Sequence, residues 1–157
     1  MIETKNYRIK IREAGISDSI MVCDLVNKLE QVSLNLDMLF TAYGMNIRNE
    51  NNVYLVAEIA DKGVVGFLSC HSQSLLHHGG QLVAEIQEMY IEPAFRNQGI
   101  GKKLIEELKG ILTERGALQL EVTSNRNRIA SHRFYKREGF EYTHHKFVCH
   151  LSRQPTS

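Results

Sequence analysis

The sequence predicts a single-domain α/β fold with a mixed sheet and helices on both faces. The chain has 157 residues, a length that suits one hydrophobic core. Strand-like and helix-like patterns alternate in the order strand, helix, a further helical segment, strand hairpin, strand, helix, strand, helix, strand. No repeat, linker or low-complexity tract separates them. We therefore place one domain at residues 1–151 and a frayed tail at 152–157.

Composition and charge narrow the class of partner. The net charge is +1, so no general attraction to nucleic acid or to a membrane surface is expected. No window contains the roughly 20 apolar residues needed to span a bilayer, and the first residues lack a signal-peptide pattern. Cys23, Cys70 and Cys149 are too far apart for a disulfide framework. These features favour a reducing compartment and predict a cytoplasmic location.

The first third of the chain predicts a strand and one or two helices. Residues 7–12 alternate and predict a first strand. Ser17 or Asp18 is placed to cap a helix that runs to Glu30. The residues of this helix predicted to face inward are Ile20, Leu25, Val26 and Leu29. Residues 34–47 are apolar and rich in methionine. They fit either core packing, which methionine often completes, or a lid over a substrate site.

The middle third predicts a hairpin and a further strand. Residues 53–59 and 64–72 are strand-like, and the tripeptide Asp61-Lys62-Gly63 between them is a typical hairpin turn. A polar loop containing His77 and His78 follows. Residues 82–91 then predict the next strand.

The last third predicts a long helix, a strand, a short helix and a terminal strand or strand pair. The long helix carries an apolar stripe of Ile100, Leu104, Ile105, Leu108, Ile111 and Leu112. Gly116 is placed to end it in a left-handed conformation. Residues 118–123 alternate as a strand. Asn125 or Asn127 then caps a short helix that Gly139 closes, and residues 140–151 predict the final strand or strands.

Residues 85–114 combine a strand, a glycine-bearing turn and a helix start, which together make a candidate anion site. The first N–H groups of a helix lack partners inside it and carry partial positive charge. Gly99 and Gly101 would let a phosphate approach the backbone closely. A bound anion would also favour Lys102 and Lys103 in the first helical turn. The alternative is that the glycines only shape the turn and the lysines are solvated.

Two motifs in this order resemble the GCN5-related N-acetyltransferase family. Residues 96–101, RNQGIG, match that family's acetyl-CoA pyrophosphate loop. The family's closing pattern is matched by Asn125, Ala130, Phe134, Tyr135, Gly139 and Phe140. The resemblance implies a mostly antiparallel sheet with a splay between two central parallel strands. It also implies that acetyl-CoA is the co-substrate and that the chain is an enzyme.

The resemblance assigns residues to acetyl-CoA. The pantetheine arm would pair with free backbone groups of the strand before the loop, as an added strand does, and the Met89 N–H would face the oxyanion. Asn125 would bond the amide arm, or it only caps a helix or turn. The full set assigned to the cofactor is Met89, Tyr90, Ile91, Arg96, Asn97, Gln98, Gly99, Ile100, Gly101, Lys102, Asn125 and Phe134.

Three residues are candidates for proton transfer. Tyr135 lies where the family has its general acid, although a core tyrosine would fit the same position. Glu85 and Glu88 are candidate bases, and each could instead solvate the strand or hold the substrate ammonium. On a regular strand residues three apart face opposite sides, so only one of them would face the amine unless a bulge intervenes.

A narrower resemblance concerns the acceptor. The segments LLHHGGQLVAEIQEMYIEP and SNRNRIASHRFYKREGFEYTHHKF are similar to aminoalkylphosphonate N-acetyltransferases. This implies a small aminoalkylphosphonate as acceptor and some need for a divalent metal. His77 and His78 would then bind metal or phosphonate. On spacing alone they form a polar loop, because a metal site usually needs three or more ligands.

Other functions remain open at the level of sequence. The acceptor amine could belong to a polyamine, an aminoglycoside or a protein N-terminus. A non-catalytic acyl-CoA-binding regulatory module is a further alternative, since a fold does not determine function. An exposed final strand could pair across a homodimer.

Overall fold

The computed structural model describes residues 6–31 and 33–152. They belong to two compact units, one that ends at Val122 and one that begins at Thr123, and each is described by itself. The predicted single domain of residues 1–151 stays a prediction. Most of the predicted tail, residues 153–157, lies outside the described residues. Within the described ranges no helix is both long enough and apolar enough to span a bilayer.

The first unit contains a five-stranded sheet, which confirms the predicted mixed and mostly antiparallel architecture. Its strands lie in sequence order, and all neighbours are antiparallel except the parallel last pair. They are β1 (Ile9–Glu13), β2 (Val53–Ile59), β3 (Gly63–Ser74), β4 (Leu82–Ile91) and β5 (Gln119–Val122).

The predicted splay lies between β4 and β5. Their ladder joins Val83–Ile86 of β4 to Gln119–Val122 of β5 and goes no further, although β4 continues to Ile91. The second half of β4 therefore keeps a β-strand conformation beyond the end of its pairing with β5. Within the described sheet β5 is an edge strand, not a central one.

Three helices of the first unit cover the two faces of the sheet. They are α1 (Ser19–Glu30), α2 (Leu36–Ile47) and α3 (Ile100–Glu114). On one face, Val22 and Leu25 of α1 pack in a cluster with Tyr54 and Phe67. Because side chains alternate along a strand, the residues before and after Tyr54 point to the opposite face of the sheet. Helix α3 packs against the strands on that face. The predicted stripe of α3 is buried, apart from the half-buried Ile111.

Helix α2 is less buried than core packing predicts. Tyr43 packs in the cluster with α1 and the sheet, but Met38 is 73% exposed and Met45 is 67% exposed. The reason is that α2 packs chiefly against α1, so one of its faces remains open. A similar difference affects α1, whose predicted inward residue Ile20 is largely exposed.

A partly buried ion pair joins β1 to the start of α1. The two terminal guanidinium nitrogens of Arg12, Nη1 and Nη2, donate to the Asp18 carboxylate at 2.8 and 2.9 Å. That carboxylate also accepts the Gly15 N–H at 2.7 Å, so it braces the preceding loop instead of capping α1. The Tyr43 hydroxyl donates to the Gly15 carbonyl at 2.7 Å. One corner thus connects β1, α1 and α2, and Arg12 lowers the pKa of Asp18.

The second unit contains helix α4 (Ile129–Arg137), as predicted. The predicted final strand or strands at residues 140–151 are wrong, because residues 140–150 have no regular secondary structure. The recorded side-chain contacts here are local, such as the bond between Tyr142 and His145. Phe147 is 92% exposed and Leu151 is 97% exposed. Alternation alone cannot produce a strand, since the backbone also needs a partner to pair with.

Candidate active site

A β-bulge interrupts the pairing of β3 and β4. Ser69 lies opposite Glu88, but the next residue, Cys70, lies opposite Ile86. Gln87 is therefore the extra residue, with no counterpart on β3. The bulge lies one position beyond the end of the β4–β5 ladder, at Ile86. It thus separates the half of β4 that is paired on both edges from the half that is paired on one.

The bulge places both candidate bases on the same face of the sheet. Glu85 lies opposite His71, and Glu88 lies opposite Ser69. Ser69 and His71 are two residues apart on β3, so they share a face. Phe67 precedes them on that face and belongs to the cluster packed under α1. Both glutamates therefore lie on the side of the sheet that α1 and α2 cover.

The Ser69 hydroxyl contacts both the side chain and the backbone of Glu88. The Ser69 hydroxyl donates to the Glu88 carboxylate Oε2 and accepts the Glu88 N–H at 3.1 Å. Ser69 is fully buried, with 0% of its surface exposed. The sequence analysis missed this residue, although a serine inside the apolar run VVGFLSC was a usable signal.

A second polar pair lies beside the glutamates on this face. The Tyr54 hydroxyl and His71 Nε2 are 3.0 Å apart, and the two rings stack with centroids 5.8 Å apart. Burial, and then the charge of Glu88, raises the pKa of Tyr54 to about 12. The phenol therefore stays protonated near neutral pH. The sequence analysis missed both residues, because a contact between strands leaves no local pattern.

The second half of β4 directs part of its backbone away from β3. Glu92 donates its N–H to the Val65 carbonyl at 2.8 Å, so in an antiparallel ladder Tyr90 also bonds toward β3. The N–H and C=O groups of Met89 and Ile91 then point to the opposite edge, past the end of the β5 ladder. Met89 and Ile91 are thus the better placed of the predicted pantetheine residues.

Arg96 braces the end of β4. Its Nε donates to the Ile91 carbonyl at 2.8 Å, and its guanidinium lies 5.0 Å from the centre of the Tyr90 ring. These contacts engage one of the outward-facing groups of Ile91. They leave the Met89 N–H and C=O and the Ile91 N–H as the groups that an added strand could pair with.

The turn before α3 has the backbone geometry of an anion site. Asn97 and Gly99 have positive φ values of 60° and 80°, and the space where a Gly99 Cβ would project is open. The helical ladder begins with the Lys103 N–H bonded to the Gly99 carbonyl at 3.1 Å. The N–H groups of residues 100–102 precede that ladder and carry the positive end of the helix dipole. This geometry fits the diphosphate of acetyl-CoA.

His77 and His78 lie in a 3-10 turn, Leu76–His78, which Gly79 ends in a left-handed conformation. Their rings are 4.4 Å apart. In the part of the chain that the structure describes, no three His, Cys, Asp or Glu side chains are grouped so as to hold a metal ion. A metal bound by this pair would need further ligands from the substrate or solvent.

Tyr135, Phe134 and Asn125 lie in the second unit. The Tyr135 ring contacts those of Phe134 and Phe140, with centroids 5.3 and 5.5 Å apart. Burial raises the pKa of the Tyr135 phenol, while Arg128 acts in the opposite direction. Asn125 Oδ1 accepts the Asn127 N–H at 2.9 Å, as in a turn, and the Asn125 carbonyl bonds His132 Nε2 at 2.8 Å.

Comparison with protein families and curated proteins finds acetyltransferases. The model of the acetyltransferase (GNAT) family matches residues 21–140. An aminoalkylphosphonate N-acetyltransferase from Salmonella typhimurium strain LT2 is 32% identical over 139 residues, which cover 88% of this chain and 89% of that protein.

Solved acetyltransferase structures share the fold. An acetyltransferase from Trypanosoma brucei superposes with a TM-score of 0.77 at 26% identity, covering 92% of this chain and all of that one. The aminoglycoside N-acetyltransferase AAC(6')-Iy, in complex with CoA, superposes with a TM-score of 0.81 at 17% identity. That match covers 98% of this chain and all of the other.

Proposed function

Because the chain belongs to the acetyltransferase (GNAT) family and is an acetyl-CoA-dependent N-acetyltransferase, we propose that it acetylates a primary amine of a small molecule. The observation that carries this proposal is the bulge at Gln87, which places Glu85 and Glu88 on one face, next to the half of β4 that pairs with β3 alone. Carboxylates at that place can hold an ammonium group and remove its proton.

Acetyl-CoA supplies the acetyl thioester, and the chain supplies two backbone sites to hold it. The N–H groups of residues 100–102 would bind the diphosphate at the start of α3. The Met89 and Ile91 groups at the free edge of β4 would pair with the pantetheine arm as an added strand does. The Met89 N–H would then stabilise the charge that develops on the carbonyl oxygen.

Glu88 is the proposed base. The substrate ammonium gives one proton to the carboxylate, and the neutral nitrogen attacks the thioester carbon directly. A C–N bond forms, the C–S bond breaks, and the thiolate takes a proton from the Tyr135 hydroxyl. The acetylated nitrogen then loses its second proton, which returns through water to the Tyr135 phenolate and leaves a neutral amide. Because burial raises the pKa of Tyr135, its hydroxyl keeps the proton at neutral pH until the thiolate forms.

For the acceptor, we propose an aminoalkylphosphonate first. The support is the relative from Salmonella typhimurium, named for that substrate, which matches most of this chain. A divalent ion at His77 and His78, completed by phosphonate oxygens and water, would suit such a substrate. Thorough chelation should then abolish the activity and an added divalent ion should restore it.

A polyamine is the second candidate, and a specific observation favours it. Glu85 and Glu88 share one face, and two neighbouring carboxylates suit an acceptor with two ammonium groups. A spermidine N(1)-acetyltransferase from Thermoplasma acidophilum is 24% identical to this chain over 135 residues. Such an acceptor would need no metal, so chelation separates the two candidates.

The deciding experiment is acetyl transfer from acetyl-CoA to a panel of amines. The panel contains short aminoalkylphosphonates, diamines, spermidine, an aminoglycoside and a peptide with a free N-terminus, each tested with chelator and with added divalent ions. Metal-dependent transfer to the phosphonates is the expected result. Metal-independent transfer to spermidine would select the second candidate. Transfer to the peptide alone would contradict a small-molecule acceptor.

Location and assembly are also proposals. The separated cysteines support a cytoplasmic enzyme, and the net charge of +1 supports neither nucleic acid nor a membrane as partner. A homodimer, if it forms, would not use a preformed final strand, because residues 140–150 do not form one. Gel filtration with light scattering tests the dimer.

A further inference from the structure

Ser69 is a residue to which the sequence assigned no role. We propose that Ser69 is a positioning residue, which holds the Glu88 carboxylate in the orientation from which it takes the proton of the acceptor. This inference rests on the proposed function, since it assumes that Glu88 is the base.

Ser69 is a buried polar residue between apolar neighbours on β3. Ser69 has 0% of its surface exposed, and its neighbours Leu68 and Cys70 are equally buried. Burying a hydroxyl costs free energy unless the group is hydrogen-bonded. Both hydrogen bonds that the structure gives the Ser69 hydroxyl go to Glu88. The position is therefore explained by Glu88 more directly than by packing.

The β-bulge at Gln87 also connects Ser69 to Glu88. The extra residue Gln87 disrupts the ladder where Glu88 begins the second half of β4. There the Glu88 N–H bonds the hydroxyl of Ser69. That Ser69 hydroxyl in turn donates its hydrogen to the Glu88 carboxylate. One buried atom thus fixes both ends of Glu88, its backbone and its charged group, at the irregular point of the strand.

Several other titratable side chains lie near Glu88 on this face of the sheet. Tyr54, whose pKa is raised partly by the charge of Glu88, lies on β2. Glu85 and His71 lie two ladder positions away, and Tyr90 follows on β4. Tyr43 of α2 reaches the same cluster through Tyr54. The Glu88 carboxylate itself accepts the Ser69 hydroxyl.

Loss of this contact should affect turnover more than binding. A base that can rotate away from the amine spends less time in the reactive geometry, which lowers kcat, while acetyl-CoA is held elsewhere. A misplacement of about 1 Å can cost on the order of 100-fold. For Ser69→Ala we expect kcat to fall by roughly 10- to 100-fold, with the KM for acetyl-CoA within about 2-fold of the original because its binding groups are intact.

The experiment compares Ser69→Ala with two further variants and a matched control. Ser69→Thr keeps the hydroxyl and should restore most of kcat. Ser69→Cys keeps the volume but offers a weak donor, so it should lose activity even if Ser69→Ala folds poorly. The control is Ser72→Ala. Ser72 is also buried on β3, with 6% of its surface exposed, but it faces the opposite side of the sheet. Its hydroxyl has no hydrogen-bond partner among the described residues. It should leave kcat unchanged.

A double variant separates positioning from a structural role. In a Glu88→Gln background, Ser69→Ala should cause less than about 2-fold further loss, because the two residues act as one unit. A full additional loss would mean that Ser69 acts through the fold and not through the carboxylate, which would overturn the proposal. Wild-type kcat in both Ser69→Ala and Ser69→Cys would overturn it too.

The failure of this proposal differs from the failure of the proposed function. If Glu88→Gln loses activity while the Ser69 variants keep it, the function stands and the role of Ser69 is rejected. If Glu88→Gln is as active as the original chain, the base is misassigned and the positioning of Glu88 fails with it. Thermal unfolding of each variant shows whether the protein measured is folded.

Discussion

The two halves of β4 have different surroundings although they form one continuous strand. The first half, up to Ile86, pairs with β3 on one edge and β5 on the other, and Val83, Ala84 and Ile86 are buried. The second half begins at Glu88, just after the bulge residue Gln87, and pairs with β3 alone. From Glu88 to Ile91 its side chains are half-buried.

This difference separates stability from chemistry along a single element. Apolar burial and two ladders hold the first half in place. The second half keeps its position through β3, through Arg96 at its end and through Ser69 at the bulge, while one edge stays directed outward. A change at a buried apolar residue of the first half should therefore affect folding, and a change in the second half should affect acetyl transfer.

Glu88→Gln, in the second half, should have the largest effect. The amide cannot accept the amine proton, so kcat should fall by about 100- to 1,000-fold, measured as thiol release from acetyl-CoA. Glu85→Gln should cost less, because Glu85 lies two ladder positions before Glu88 and so further along the strand from the outward-directed groups of Met89 and Ile91. Glu121→Gln is the control, because Glu121 lies beside Glu85 in the β4–β5 ladder. Equal losses in all three variants would contradict the assignment.

Tyr135→Phe extends the comparison to the second unit. Removing the hydroxyl leaves the thiolate without its proton donor, so kcat should fall by about 10- to 100-fold, with the affinity for acetyl-CoA little changed. The ring contacts with Phe134 and Phe140 would remain. Phe140→Leu, which alters ring packing but not the hydroxyl, is the control. Unchanged turnover in Tyr135→Phe would remove it as the acid.

Gly99→Ala tests the turn that follows the second half. Gly99 has φ of +80°, where an alanine is strained by about 1–2 kcal/mol. The turn should shift to relieve this strain, and the KM for acetyl-CoA should rise by about 10-fold as the N–H groups move off the diphosphate. Gly110→Ala is the control, since Gly110 lies within α3 and a Cβ there meets open space. A KM unchanged in both variants would contradict the proposed diphosphate site.

Val83→Ala, in the first half, should have the smallest effect on activity. Removing two buried methyl groups should lower the free energy of unfolding by about 1–3 kcal/mol. Because the second half and its bulge are intact, kcat should stay within about 2-fold. Urea unfolding and the thiol-release assay measure the two quantities on one sample. A large loss of kcat in a folded Val83→Ala protein would mean that the halves are not independent.

The elements that the sequence predicted well are those with a local pattern. The stripe from Ile100 to Leu112 and the glycine turn before it depend on neighbours a few residues apart, so periodicity finds them. The bulge at Gln87 depends on which residues of β3 lie opposite those of β4. Such partners are far apart in the sequence: Ser69 and Glu88 are separated by 19 positions. For that reason the shared face of Glu85 and Glu88 was left open, and the roles of Ser69, His71 and Tyr54 were missed.

The wrong prediction at residues 140–151 has a related cause. Tyr142, Phe147 and Val148 have high β propensity, but propensity mostly measures packing on a sheet, and these side chains are exposed. Ile20 was placed inward by its helical spacing, yet the burial of a helix face also depends on where the helix passes its neighbours. Both errors concern contacts between elements, which spacing along the chain does not specify.

The corner formed by Arg12, Asp18 and Gly15 makes the protein sensitive to acid at a defined place. Because Arg12 holds the pKa of Asp18 below its ordinary value of 3.8, this pair stabilises the fold fully above that value and progressively less as the pH falls through the lowered one. Protonation would leave Arg12 without its strongest partner and would loosen the loop to which Tyr43 bonds. Helix α2 should therefore come away before the sheet melts, exposing the glutamate-bearing face first.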